Sequence, residues 1–595
     1  MRIKVGEVIE VRGLKITLRI NDDSNKEFIF NNGEIFKGIS IREFITIERG
    51  FKDIVCVVEG EYLSENSMSS TGISDTPKYI RKVEVKPIGY FDNNKFIEGI
   101  KYLPMIKDSV FLSSQKQIQS IFNKFTTDDF SIGNLIKENF PISIPWELVF
   151  NSHLGIFGNT GSGKSNTLTK LYTTLFDKKS KKMLGKSKFV LLDFNGEYTG
   201  NQLLTSQKNK KIYKLDSSNP DGDKLPINSN QFWNHETLSL LFKATTNTQT
   251  PFIRRVVSRK LKYNDNTNSL ENYIKYTIKE NFQTTSPKKE TIDLLKKIAE
   301  IIGNQGLKDR LAEISWRSDS GVFHHPPSGN SGYFNGGSSN AYESICETLV
   351  SEISLEEINF FNELIIRINL QLVNDLISGY VQFEHIQPLL KRVESLADNL
   401  CNVISLTDDD TTSELLTIIS LRKCNHQEIK KIIPLLVAKQ LYTAHKNSVS
   451  TPPNKTVHLI IDEAHNILSQ QSLREEESWK DYRLELFEEI IKEGRKFGFF
   501  LTLSSQRPAD ISPTIMSQIH NFFIHRLVND KDLFLLENTI STLDTLSKNM
   551  IPNLPKGACI ITGTAFDLPL VIQADRLNLG QRPDSEDVDL VKIWS

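Results

Sequence analysis

Short apolar runs alternate with polar and turn residues over the first 110 positions: Val8-Ile-Glu-Val, Lys15-Ile-Thr-Leu-Arg-Ile, Gly38-Ile-Ser-Ile, Asp53-Ile-Val-Cys-Val-Val and Lys82-Val-Glu-Val. Strands this short and evenly spaced predict a small β-sandwich or barrel over 1–110. A linker is expected over 111–150. From 151 the pattern changes to a buried strand (Leu154-Gly-Ile-Phe), a glycine-rich loop, an amphipathic stretch from Lys164 and a second strand ending Phe189-Val-Leu-Leu-Asp. Strand, loop, helix and strand in that order make a βαβ unit and a parallel sheet. The strand pattern resumes at Val457, Phe499, Asn521 and Ala558.

Between these halves a helical period dominates, as in Phe252–Leu261, Thr291–Ile302, Leu355–Leu376 and Ile429–Tyr442. The chain therefore divides into a β-module (1–110), the linker, a first core segment (151–229), a helical insertion (230–450) and a second core segment (451–595). The fold class is α/β. One stretch of the insertion, Ser318–Asn340, is rich in Gly, Ser and Asn and is expected to be a mobile loop. Its adjacent His324 and His325 lack the partner cluster a metal needs and read as plain loop residues.

Composition adds limits. The 595 residues carry 72 basic and 73 acidic side chains, a net charge of −1, which argues against a protein that coats nucleic acid. Five scattered cysteines show no metal spacing, which points to a reduced, cytoplasmic setting. The start, Met1-Arg-Ile-Lys-Val, lacks a signal peptide's apolar core. No run of about 18 apolar residues occurs, so no membrane span is expected.

Candidate chemistry concentrates in Gly158-Asn-Thr-Gly-Ser-Gly-Lys-Ser, a full match to the P-loop pattern. Glycines at 158, 161 and 163 let the main chain turn so that successive N–H groups face phosphates. Lys164 brings a charge to the β- and γ-phosphates, and the Ser165 hydroxyl suits Mg²⁺. Asn159, Thr160, Ser162 and Asn166 complete the nucleotide-contacting set. An incidental glycine turn would not follow a buried strand and open a helix as this segment does. Asp462 and Glu463 end the apolar strand from Val457: one acid to hold the magnesium's water shell, one to polarise the attacking water. Gln506, at the tip of the strand from Phe499, is placed to sense the γ-phosphate and that water. Asp193 ends the strand Phe189–Leu192, where a parallel sheet presents its active edge, and is assigned to nucleotide binding. ATP and Mg²⁺ are the implied cofactors, and ATP hydrolysis is the implied reaction.

These residues resemble the HerA ATPases of the HerA/FtsK superfamily. The resemblance is carried by Asn151–Ser165, Leu192-Asp-Phe-Asn-Gly-Glu-Tyr, Ile461-Asp-Glu-Ala-His, Glu493-Gly-Arg-Lys-Phe-Gly, Ser505-Gln-Arg-Pro and Leu554-Pro-Lys-Gly-Ala-Cys-Ile-Ile-Thr-Gly. It implies a RecA-like core with an N-terminal β-barrel, assembled as a hexameric ring around double-stranded DNA. It also implies an arginine reaching in from the neighbouring subunit, here Arg495 or else Arg526. Ser152 and Lys492 stand where the family often has arginine. Bacterial relatives often pair with a nuclease or sirtuin-like (NADase) effector in antiphage defence. The expected function is thus an ATP-driven DNA translocase or helicase acting with a separate effector. The alternative is an ATP-dependent scaffold that assembles and gates that effector. Basic clusters at Lys178–Lys182, Lys208–Lys211 and Arg254–Lys260 could line a DNA channel or be solvated surface.

Overall fold

The structure, a computed structural model, describes the chain except residues 1, 22–25, 32–33, 67–77, 94, 123–129, 263–267, 337–339, 356–357, 409–413, 472–476, 567, 586–592 and 595. It falls into two compact units: residues 1–179, 504–509 and 516–582, and residues 180–503, 510–515 and 583–595.

The first unit opens with an antiparallel barrel. Around it the strands run Lys15–Ile20, Lys4–Arg12, Ser109–Leu112, Phe44–Arg49, Lys52–Asn66 and Lys78–Asp92, and Lys15–Ile20 closes it onto Lys78–Asp92. Val8, Ile16, Leu18, Ile45, Ile47, Val58, Val83, Val85 and Val110 alternate inward and are fully buried. Closure leaves the barrel strands no free edge. The expected strand Gly38-Ile-Ser-Ile is instead irregular chain leading into a turn at Ile41-Arg42. A Cβ on Gly38 would lie 1.8 Å from the Lys26 carbonyl, so this glycine serves close approach of two main chains. The strand that takes its place is Phe44–Arg49.

The expected linker is also structured. Residues 111–150 finish the barrel strand Ser109–Leu112, form a helix at Gln115–Phe122 and supply two sheet strands, Ser131–Leu135 and Pro141–Ser143. The sheet of this unit runs Pro141–Ser143, Ser131–Leu135, Leu570–Ala574, Ala558–Gly563, Asn521–Ile524 and Leu154–Phe157. Only the last pair is parallel. Interleaved pairing with the chain's C-terminal strands is what sequence spacing alone does not reveal.

The second unit carries a five-strand, all-parallel array in the order Phe499–Ser505, Thr456–Ile461, Ser187–Asp193, Leu416–Lys423 and Lys210–Asp216. All but the edge strand Lys210–Asp216, which alternates buried and exposed positions, are near-continuous buried runs, as strands covered on both faces must be. Leu416–Lys423 lies inside the segment read as a helical insertion, yet it is a sheet strand between two others. The rest of that segment is largely helical, centred on Phe360–Ile377, which is buried along almost its whole length. The Gly- and Ser-rich stretch expected to be mobile is ordered where described: Ser315–Arg317 and Val322–His324 form a hairpin, and Phe334 is 2 % exposed. Residues 337–339 of that stretch lie outside the described residues. The fold is that of a RecA-like P-loop NTPase, with an N-terminal β-barrel and a helical insertion.

Candidate nucleotide site

In the first unit the loop residues 158–163 connect the fully buried strand Leu154–Phe157 to the helix Lys164–Met183. Gly161 and Gly163 have φ of 72° and 112°, values that a side chain would strain. A Cβ on Gly158 would lie 2.5 Å from His525 Cβ, and one on Gly163 would lie 2.7 Å from Gly557 Cα. Packing and conformation therefore both demand glycine at these positions. The loop is anchored from behind. Gly158 N–H donates to Ser505 O at 3.3 Å, Asn159 N–H to Arg526 O at 2.9 Å, and Gly557 N–H to Ser162 O at 2.8 Å.

Lys164 is 6 % exposed at the helix start, where the main-chain N–H groups and the helix dipole favour an anion. The Thr160 hydroxyl donates to Gln506 Oε1 at 2.5 Å, so the expected sensing amide is tied to the loop. The Asn166 side chain points elsewhere, donating to Asp575 O at 3.1 Å. A cradle of N–H groups closed by a buried lysine fits a nucleotide's phosphate chain.

In the second unit Asp193 and Asp462 end neighbouring parallel strands, and both are fully buried. Asp462 N–H donates to Leu192 O at 3.1 Å, which carries the ladder to the strand tip. The Asp193 carboxylate, expected at the nucleotide, is held by its own loop. It accepts from Gly196 N–H at 2.7 Å and from Glu197 and Tyr198 N–H at 3.1 Å. Burial pushes its pKa up to about 6, helped by Asp462, while those three N–H groups pull it down. Glu463 is 7 % exposed and has φ of 51°, a left-handed conformation rare for a non-glycine residue. Such strain clusters at functional sites. His465 Nδ1 stands 3.3 Å from the Glu463 carboxylate.

Arg495 lies near the C-terminal end of the helix Glu477–Phe497, exposed to solvent, just before the strand that starts at Phe499. It thus sits at the amino-terminal edge of the parallel array. Asp462 sits at the opposite edge, about 16 Å away along five strand residues. Arg526 differs: its carbonyl holds Asn159 of its own loop. His525, Gly557 and Asp575 belong to the loop's setting, which spacing along the chain does not announce. The Leu554-Pro-Lys-Gly segment was the nearest signal.

Two expected basic clusters are partly spent inside the protein. Arg255 pairs with the buried Asp375 at 2.7 Å, Lys260 with Glu363 at 2.9 Å, and Arg259 with Tyr273 Oη at 2.7 Å. Buried Lys210 donates to the Gly200 and Gln202 carbonyls at 2.6 and 2.7 Å. A cavity of about 390 Å³ lies among Lys188, Val190, Thr417 and Ala444, toward the amino-terminal ends of the parallel strands and away from Asp193 and Asp462. His324 and His325 are buried, and no cluster suited to a metal ion occurs among the described residues. Nor is any helix among them long and apolar enough to cross a membrane.

Residues 130–319 match the family model "Helicase HerA, central domain". The DNA double-strand break repair helicase HerA of Sulfolobus acidocaldarius is 23 % identical over 500 residues, covering 82 % of this chain and 77 % of that protein. A probable DNA double-strand break repair helicase HerA of Methanocaldococcus jannaschii is 21 % identical over 525 residues, covering 88 % and 90 %. Among solved structures, VirB4 of Thermoanaerobacter pseudethanolicus is a looser likeness, with a TM-score of 0.42 at 11 % identity over 76 % of this chain and 97 % of that one. With its anchored phosphate loop and buried acidic strand end, this chain is an ATPase, similar to the HerA helicases along most of its length and matching their central domain over residues 130–319.

Proposed function

We propose that this ATPase drives double-stranded DNA through a homo-hexameric ring and works with a separately encoded effector, a nuclease or a sirtuin-like enzyme, in antiphage defence. The observations that support the motor reading lie in each unit by itself: in the first, a phosphate loop anchored at three points with Gln506 hooked to it, and in the second, buried Asp462 and Glu463 ending one strand. The relatives named above as DNA repair helicases support DNA as the track.

Bound Mg-ATP supplies the phosphoanhydride whose hydrolysis drives motion. The loop N–H groups and Lys164 hold and neutralise the phosphates, while the Ser165 hydroxyl and Asp462 carboxylate offer hard oxygens suited to magnesium. Glu463 orients the attacking water and takes its proton, and Gln506 positions that water. Arg495 acts in trans. Its exposed place at the far edge of its own parallel array suits a residue that serves a neighbour's site, and a ring of heterologous interfaces provides one. Mixing Lys164→Ala with Arg495→Ala subunits is expected to restore part of the ATPase activity that each lacks alone. No recovery in well-mixed rings removes Arg495.

Exposed Phe30, on a separate two-stranded hairpin, and Phe51 and Leu63, on the barrel, support residues 1–110 as the effector's docking face. Deleting 1–110 is expected to abolish co-purification with the effector. Double-stranded DNA is expected to stimulate hydrolysis by the wild type. Hydrolysis indifferent to DNA but altered by the effector overturns the motor in favour of a gated scaffold, as does phage protection that survives Lys164→Ala.

A further inference from the structure

The first unit holds a buried imidazole that the hydrolytic roles above leave unused. His525 follows the strand Asn521–Ile524 and is 0 % exposed. Its main-chain N–H donates to Phe157 O at 2.7 Å, extending the parallel ladder to the start of the loop. Its side chain reaches both ends of the loop: Cβ lies 2.5 Å from where a side chain on Gly158 would begin, and Cε1 lies 3.6 Å from the same point on Gly163.

Neither ring nitrogen has a hydrogen-bond partner. The Ala558 and Ser162 main chains lie close enough to raise the ring's basicity slightly, yet neither meets bonding geometry. Burial dominates, with Lys164 adding to it, and lowers the pKa to about 4, so the ring is neutral near pH 7 and carries one N–H. An unpaired buried donor has lost its water and gained nothing in return, whereas an apolar side chain of similar size would fill the space without that cost. Ser162 O already accepts from Gly557 N–H at 2.8 Å, and a carbonyl oxygen has a second lone pair.

We propose that His525 is a positioning residue for the phosphate loop, its ring N–H bonding the Ser162 carbonyl once phosphates settle into the loop. A bond made only in the loaded state adds to the affinity for nucleotide rather than to the stability of the empty loop, because a ligand gains only what differs between the two states. The imidazole also ties loop shape to the strand Asn521–Ile524.

The inference rests on the phosphate-loop reading, and the test separates the two. His525→Leu, His525→Gln and Lys164→Ala are compared by the Kd of a MANT-labelled non-hydrolysable ATP analogue and by Tm without nucleotide. His525→Leu is expected to melt no lower than wild type when empty, yet to bind the analogue about fivefold or more weakly, the worth of one hydrogen bond. His525→Gln, which keeps an N–H donor, should bind within about twofold of wild type. Should His525→Leu not accumulate as folded protein, His525→Met takes its place. Wild-type binding by the apolar variant overturns the proposal, as do equal losses in the apolar and Gln variants, which would mark a packing role only. Undiminished binding by Lys164→Ala overturns instead the phosphate-loop reading beneath it.

Discussion

The Thr160 hydroxyl donates a 2.5 Å hydrogen bond to Gln506 Oε1, so an amide at a strand tip and a loop 346 positions earlier in sequence are held as one piece. This bond fixes the amide's orientation and leaves its NH₂ group to meet water or phosphate. Thr160→Val, which keeps shape but removes the donor, is expected to lower kcat about tenfold with little change in KM. Gln506→Ala removes the amide itself and should cost about a hundredfold. Steady-state hydrolysis at saturating ATP checks both. Equal KM increases without loss of kcat would place Gln506 in binding instead.

Glu463 combines a catalytic carboxylate with a left-handed backbone. Glu463→Gln should keep nucleotide binding and lose turnover by orders of magnitude, because only activation of water is removed. Glu463→Gly should lose turnover too, yet gain about 1 kcal/mol of stability as the strained φ relaxes. Thermal melting beside the hydrolysis assay checks the pair. A Glu463→Gly protein that melts below wild type would mean that the side chain's contacts outweigh the strain.

Asp193 makes stability depend on pH. Its folded pKa of about 6 lies above the ordinary carboxylate value near 3.8, so the folded state holds its proton where the unfolded state has released it. The contribution is present below the unfolded pKa and is lost as pH rises through the folded one, here between about pH 4 and 6. The loss is on the order of 1–3 kcal/mol. Denaturant melts without nucleotide or magnesium should show this fall, and Asp193→Asn should remove it. An unchanged pH profile in Asp193→Asn would assign the slope to other groups.

Arg255 faces inward to Asp375, which is 2 % exposed. Arg255→Ala should destabilise the second unit by about 3 kcal/mol, because it strands a buried charge. It should leave the salt dependence of DNA binding unchanged, since a side chain paired inside the protein releases no counterions. A reduced salt slope at unchanged Tm would return this cluster to the DNA channel.

Local grammar made much of this protein legible. A strand, three glycines, a lysine and a serine in one register announce a phosphate loop, because such a loop needs those residues in consecutive order. Two carboxylates after an apolar strand announce its acidic partner for the same reason. Alternation of apolar positions likewise revealed the barrel, although it took Gly38–Ile41 for a strand when that glycine is needed for close approach to Lys26.

By itself, then, the sequence determined the phosphate loop, the acidic strand end and the β-barrel, since these depend on neighbours along the chain. Tertiary structure alone decided what depends on partners far apart in sequence. It drew 111–150 into the barrel and the sheet, and set Leu416–Lys423 between two strands that precede it by some 200 residues. It turned Asp193 toward its own loop and Asn166 toward Asp575, and placed His525 beneath Gly158. The physical reason is common to all of these. A buried polar group or a close-packed glycine is satisfied by whichever atoms the fold delivers to it, and sheet pairing delivers atoms without regard to distance along the chain.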